Sequence, residues 1–564
     1  MKFQFTESAQ AAFAQDPPIL VTGGPGSGKT ALALVKAQLL IEKLESEQQI
    51  LFLSFSRAAV RQVLLKCGEV LTSTQRRVIS VMTYHAFCMD ILTAHGRLLT
   101  GSEAQFYFPS RERVDRAAFE GDWETEKWRL ASDEGLYSFS VFANASSSLL
   151  GIAAVRKLIS DKYPFIILDE FQDTDDSQWE LVKLLAQDSG LVVLADPEQR
   201  IFDYDPRVNP KRIDQLREYL VPTEFDLGGD NHRSPDAGIL QFADSVLHNR
   251  ALPVTSSVQM ISYWPRNFEA HVHASVVWMM SALAKLGIDQ PSIAVLGRTN
   301  AFVETLSAIF SVEHCFNGSV LPPVDHDVLW DADLIAAAAQ VVASILEWPV
   351  PNTEVAVAKS SLRIASYFEV KNALRSSRQS LEAMTRYHRV SEDLLSGGSP
   401  QIQIAQTLFE IGKSGFEVIG NPSEDWEAVI RLLSAVSELE EISTKARLIR
   451  PFKGNDVIGS RLAREWLESG SYGKASEIVK RLLDRRTVLS DAEQTGRCVL
   501  MTIHKAKGKE FDGVVLVEGL WSKFFDERDG EPFLSARRLL RVGITRARYR
   551  VTMVRPSGVR SLVV

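Results

Sequence analysis

The residues Gly23-Gly24-Pro25-Gly26-Ser27-Gly28-Lys29-Thr30 have the types and spacing to hold a chain of phosphates. Glycines let the backbone take positive φ and bring its N–H groups close to an anion. Lys29 is spaced to reach the outer phosphates, and the Thr30 hydroxyl to ligate Mg²⁺. A second set follows much later, where the apolar run Phe165–Leu168 delivers Asp169 and Glu170. Asp169 suits the same Mg²⁺, and Glu170 suits an attacking water, as its base or its positioner. A third run, Leu191–Ala195, leads to Gln199, a neutral amide able to sense a γ-phosphate. Together these residues point to binding and hydrolysis of a nucleoside triphosphate.

Such groups need a scaffold that brings strand ends together. Pro18–Thr22 is a short apolar run before the phosphate loop, and Ala31–Leu40 has helical apolar spacing after it. Ile50–Phe55, Val78–Met82, Phe165–Leu168 and Leu191–Ala195 read as strands separated by helical stretches. That alternation predicts a parallel α/β sheet with its active groups at the carboxyl ends. Ile293–Leu296, Val514–Val517 and Tyr549–Val554 predict a second α/β sheet. Residues 96–155 read as a helical insertion, with Asn144–Ser148 as a mobile stretch. Residues 351–490 are helical in pattern throughout.

At 564 residues several domains are expected. The chain opens on polar residues, with no leader pattern and no apolar run long enough to span a bilayer, so a cytosolic address and no membrane partner are expected. Cys67, Cys88, Cys315 and Cys498 lie far apart with no metal-binding spacing and read as free thiols. A net charge of −8 argues against a globally basic nucleic-acid binder and leaves room for a local basic groove. Phe202 and Tyr204, just past the Gln199 turn, offer either ring faces for bases or ordinary packing.

The phosphate loop, Asp169-Glu170-Phe171-Gln172-Asp173-Thr174 and the Gln199 strand together resemble the UvrD/Rep family of superfamily 1 helicases. Further blocks extend the likeness in order. Thr6–Gln10 resembles an adenine-reading glutamine motif. Phe55–Ala59 and Thr83–Phe87 resemble strand-contacting segments, and Leu227–Ser234 resembles the block that opens a second motor domain. Ile293–Asn300, Met501–Phe511 and Arg537–Arg548 complete the set.

The resemblance implies two RecA-like P-loop motor domains with mainly helical insertions. Residues 1–95 and 156–225 would form domain 1A, and 96–155 a short 1B-like insertion. Residues 226–350 and 491–564 would form domain 2A, and 351–490 a 2B-like accessory domain. It implies ATP and Mg²⁺, with Gln10, His232 and Glu510 on the nucleoside. Lys29, Glu170, Gln199, Arg233 and Arg546 would be catalytic, the two arginines supplying cations from the facing lobe. Phe55, Ser56, Arg57, Thr83, His85, Phe202, Tyr204, Arg298, Thr502 and His504 would contact single-stranded DNA. The family's activity would be 3′-to-5′ translocation and unwinding of tailed duplexes. Two alternatives stand beside it: a translocase that strips proteins from DNA, and a regulatory subunit of a nuclease or phage-defence complex. RNA as the track also stays open.

Four positions depart from the family pattern. His232 replaces an aromatic and makes adenine stacking weaker and pH-sensitive. Ala31 stands where an arginine reaches the base, and Asp205 replaces an arginine beyond Tyr204. Ser535-Ala536 replaces an acidic pair. With the chain ending soon after Val554, no appended nuclease is expected.

Overall fold

The computed structural model describes residues 7–107, 112, 116, 119, 121–202, 205–228, 237–328, 332–348, 354–375, 378–398, 406–408, 410, 418–447, 457–479, 498–526 and 530–563. The chain divides into two compact units. One takes residues 1–106, 125–329 and 494–564, and the other 107–124 and 330–493.

The first unit is built on two sheets. Strands β1 (Ile19–Thr22), β2 (Ile50–Ser54), β3 (Ile79–Thr83), β4 (Phe165–Leu168), β5 (Gly190–Ala195) and β6 (Thr223–Asp226) lie in the order β3-β2-β4-β5-β1-β6. All pairings are parallel, with Ile167 between Phe52 and Val192, and Val21 between Leu194 and Phe225. Central strands buried on both faces read as the continuous apolar runs seen in the sequence. The edge strand β6 is mostly exposed, so its residues carry no such signal. Helices α1 (Lys29–Ile41), α2 (Arg57–Val70) and α3 (Tyr84–His95) leave the carboxyl ends of β1, β2 and β3. This order places the phosphate loop after β1, beside the ends of β4 and β5.

Asn144–Ser148 is a correction to the mobile stretch expected there. It lies inside helix α4 (Phe142–Gly151), with Ala145, Ser146 and Leu149 buried. Its serines do not break the helix, because Ser147 and Ser148 donate to the carbonyls of Ala143 and Asn144 at 2.8 and 3.3 Å. The insertion also carries two three-residue strands, Gln105–Tyr107 and Leu136–Ser138, too short to show alternation.

The second sheet contains β7 (Val258–Tyr263), β8 (Ile293–Gly297), β9 (Asp327–Val328), β10 (Cys498–Thr502), β11 (Phe511–Val517) and β12 (Ala547–Pro556). Their order is β9-β10-β8-β11-β12-β7, again parallel throughout. Helix α5 (Gly238–Leu247) and helix α6 (Leu534–Ile544) pack through an apolar cluster that includes Phe242, Val246, Leu539 and Leu540.

The other unit is helical. Ala332–Leu346, Glu354–Arg375, Arg378–Leu395, Pro422–Ser434, Glu440–Arg447 and Val457–Ser469 enclose a core with Tyr367, Tyr387, Trp426 and Tyr472 buried. The Tyr472 hydroxyl donates to Asp425 at 2.7 Å, which satisfies its one polar atom in that core. Among the described residues no single helix is long and apolar enough to cross a membrane.

Candidate nucleotide-hydrolysis site and strand-binding edge

The loop between β1 and α1 turns on two left-handed glycines, Gly26 (φ 78°) and Gly28 (φ 86°). Gly23 is needed for space, since a Cβ there would sit 2.6 Å from Ser27 Oγ. Ser27 itself is buried, and its hydroxyl has no hydrogen-bond partner among the described residues. An unsatisfied buried hydroxyl at the start of a helix, among backbone N–H groups, fits a phosphate oxygen. Lys29 Nζ donates to the carbonyls of Gly23 and Gly24 at 2.6 and 3.0 Å, which holds its charge over the loop.

Asp169 and Glu170 follow β4 at the same sheet edge. Glu170 has φ 53°, a left-handed conformation that costs a non-glycine residue about 1–3 kcal/mol. Asp169 Oδ1 accepts from the Glu170 N–H at 3.0 Å. Burial pushes the Asp169 carboxyl up to about 7, the Glu170 charge adds to that, and Lys29 opposes it. A desolvated carboxylate of this kind fits a divalent cation, whose charge reverses the penalty. Among the described residues no group of three His, Cys, Asp or Glu gathers to cage a metal. Burial raises Glu170 too, but Lys507, Lys29, Arg546 and Gln172 outweigh it and hold the carboxyl below its ordinary value. Glu170 is thus ionised, the state a proton acceptor needs.

A chain of polar contacts runs from this base to the facing lobe. Gln172 Nε2 donates to Glu170 Oε2 at 2.6 Å, and Gln172 Oε1 accepts from the Asp196 N–H at 2.9 Å. Asp196 Oδ2 accepts from Gln199 Nε2 at 2.7 Å. Gln199 Oε1 then accepts from Arg546 Nη2 at 2.9 Å. Gln199, Asp196 and Arg546 are all buried. The structure therefore joins Glu170, Gln199 and Arg546, residues far apart in the chain, in one connected network.

Lys507 lies within the Met501–Phe511 block, where residue type and spacing assign it no role. Its ammonium contacts the Asp173 carboxylate, donates to the Gln199 carbonyl at 2.7 Å and lies 3.6 Å from Glu170. Burial alone would discharge it, but Asp173 and Glu170 hold it protonated. Asp173 in turn is pushed up by burial and by Glu170, and direct contact with the ammonium favours its ionised form. The lysine between Ala506 and Gly508 was the available signal, and only the fold says what it faces.

Gln10 is exposed on the helix Glu7–Ala14. Glu510 Oε2 is 3.2 Å from Arg548 Nη2. Tyr204, His232, Arg233 and the side chain of Arg57 fall outside the described residues.

Along the edge formed by strand ends, Phe55 and Phe202 meet with ring centroids 5.2 Å apart, and Lys507 Nζ lies 5.6 Å from the Phe202 ring. Ser56, Thr83 and Thr502 each cap the helix that follows, accepting from the N–H groups of Ala59, Ala86 and Lys505. Arg298 Nη1 donates to the carbonyls of Lys523 and Phe524 at 2.9 and 3.0 Å. His85 is exposed beside Phe139, at 5.6 Å between centroids. His504 is held below its ordinary value by burial, then by Arg298 and Lys507. Gly508 has φ 76°, and a Cβ on it would lie 3.6 Å from Ser56 Oγ, so this loop touches the start of α2.

Residues 6–204 match the family model of the AAA domain, and residues 497–554 match that of the UvrD-like helicase C-terminal domain. The two matches fall on the two halves of the network just described. Both matches, with the relatives that follow, support a UvrD/Rep-like superfamily 1 helicase. Among this family it is similar to the ATP-dependent DNA helicase PcrA of Staphylococcus aureus (strain Mu50), 22% identical with 96% of this chain and 82% of the relative covered. It is also similar to a probable DNA helicase II homolog of Mycoplasma pneumoniae, 22% identical with 88% and 75% covered. A second such homolog, from Mycoplasma capricolum, is 20% identical with 94% and 81% covered. The parallel sheets of the first unit agree with the RecA-like motor domains of the family.

Proposed function

We propose that this chain is an ATP-driven DNA helicase that translocates 3′-to-5′ on single-stranded DNA and separates tailed duplexes. The observation that carries the proposal is the buried contact between Arg546 and Gln199, which joins a cation of one lobe to the phosphate-sensing amide of the other. Two lobes linked at that point can sense one nucleotide together. Support also comes from relatives named as DNA helicases over most of their length.

In this proposal the phosphate loop and Lys29 hold ATP, while Thr30 and Asp169 hold Mg²⁺. When bound, the metal neutralises phosphate charge and orients the outer phosphates. Glu170 takes the proton of the attacking water, and Gln172 fixes its carboxylate. Arg546, with Arg233 and Gln199, meets the charge that develops on the transferred group. Residues 1–95 with 156–225, and 226–350 with 491–564, act as the two motor domains. The insertion at 96–155 and the helical residues 351–490 act as accessory elements. The DNA strand lies over Phe55, Phe202 and Tyr204, with phosphates at the helix starts capped by Ser56 and Thr83.

A second reading, a translocase that displaces proteins without unwinding, is favoured by the small size of the 96–155 insertion. ATP hydrolysis and strand separation on 3′-tailed, 5′-tailed and RNA-tailed duplexes test both, with Lys29→Ala and Glu170→Gln as controls. Unwinding of 3′-tailed DNA alone is the expected result. Hydrolysis indifferent to single strands would overturn the proposal, and hydrolysis with protein displacement but no unwinding would leave the second reading.

A further inference from the structure

Arg541 on α6 lies beside Gly24 of the phosphate loop and Asp196 of the Gln199 turn. Its side chain is 4% exposed. Nε is anchored within its own lobe, donating to Asp244 Oδ1 on α5 at 2.9 Å. The other face of the guanidinium points at the opposite lobe. Nη2 is 2.9 Å from Glu198 Oε2, and Nη1 is 3.8 Å from Asp196 Oδ2. A Cβ built on Gly24, in the phosphate loop, would lie 3.5 Å from Nη2.

Two features separate this arrangement from a structural ion pair. Nη1 makes no hydrogen bond to any described residue, although it is buried, so one donor of the fork is unspent. Glu198 is 41% exposed and also lies 3.2 Å from His248 Nε2, so its hold on Arg541 is shared and open to water. Asp196, the remaining carboxylate, already accepts from Gln199 and from the Glu198 N–H. An arginine anchored through Nε, with Nη2 beside a phosphate loop and Nη1 buried and unspent, has the fork needed for bidentate capture of a phosphate.

Resting on the nucleotide-site reading above, we propose that Arg541 is a further guanidinium of that site, presenting both Nη groups to the terminal phosphate of a bound nucleoside triphosphate. It leaves Glu198 to do so, while Asp244 keeps it aimed. Because Asp196 touches both Arg541 and Gln199, the change of partner is felt by the amide that also contacts Arg546. Arg541 therefore distinguishes the triphosphate from the diphosphate.

The test is equilibrium binding of Mg²⁺–ADP and of a non-hydrolysable Mg²⁺–ATP analogue to the full chain, for the parent, Arg541→Ala, Arg541→Lys and Lys29→Ala. Arg541→Ala should weaken the analogue about 10- to 100-fold and ADP by no more than about twofold. Arg541→Lys, which keeps the charge and loses the fork, should show the same selective loss at smaller size; it carries the comparison if thermal melting shows that the alanine variant does not fold. An equal loss for both nucleotides, no loss, or tighter binding of either would overturn the proposal and leave Arg541 as a clasp between lobes. Lys29→Ala should weaken both nucleotides. If it weakens neither, the nucleotide-site reading falls and not the role of Arg541 alone.

Discussion

The candidate nucleotide site and the candidate strand-binding edge are made from similar residue types and use them in opposite ways. At the nucleotide end, charged and amide side chains from both lobes contact one another directly: Arg546 with Gln199, Lys507 with Asp173, Arg541 with Glu198. Along the edge, Ser56, Thr83 and Thr502 serve as helix caps, and Arg298 serves two carbonyls. One end is positioned by its own mutual attraction. The other is positioned by backbone, and it offers helix starts and ring faces. Chemistry needs fixed distances between specific groups, whereas a track of any sequence needs only regular anchors.

The largest expected effect comes from removing the cation that spans the lobes. Arg546→Ala should lower kcat about 10³-fold or more, with nucleotide binding changed much less, as steady-state hydrolysis and binding assays would register. A small loss would break the contrast, since the network would then be packing and not catalysis. Glu170→Gln should lower kcat by about 10² to 10⁴-fold while leaving the chain able to bind nucleotide and single strand. Lys507→Met strands Asp173 as a buried unpaired acid and should cost about 3–5 kcal/mol in denaturant unfolding. Restoring most of that loss with Asp173→Asn in the same chain would show that the pair, not the lysine alone, was at stake.

At the edge the expected effects are smaller. His504 has a lowered value in the folded state, so the unfolded chain binds its proton first as pH falls. Stability should be fully present above about 6.5 and decline as pH drops below it. Melting curves across pH 5–8 should be flatter for His504→Gln. Thr83→Ala should cost about 1 kcal/mol through its lost cap, and weaken single-strand binding only modestly. If Thr83→Ala abolished strand binding with the fold intact, the hydroxyl would be a direct contact, and the contrast between the two ends would break at that residue.

How much of this the sequence displays follows the same division. The phosphate loop and the Asp169-Glu170 pair are local patterns on buried strands, so residue type and spacing expose them. The central strands are legible for the same reason, while β6 and β7 are edge strands of mixed exposure and give no continuous apolar run. The roles of Lys507, Asp196 and Arg541 depend on contacts between residues hundreds of positions apart, which no spacing rule reaches. The serine-rich turn of α4 misleads because its hydroxyls bond back to their own helix. The left-handed backbone of Glu170 likewise has no signature in residue type.

The loop around Gly508 has neighbours at both ends of the motor. One residue before the glycine, Lys507 is seated among the acids of the hydrolysis site; the glycine itself rests against Ser56, where α2 begins. In the proposed helicase, a redistribution of charge around the lysine would also displace the start of α2, over which the strand is proposed to lie. Stiffening that joint with a bulkier residue, at a backbone angle few side chains tolerate, should leave an engine that burns fuel without gaining ground.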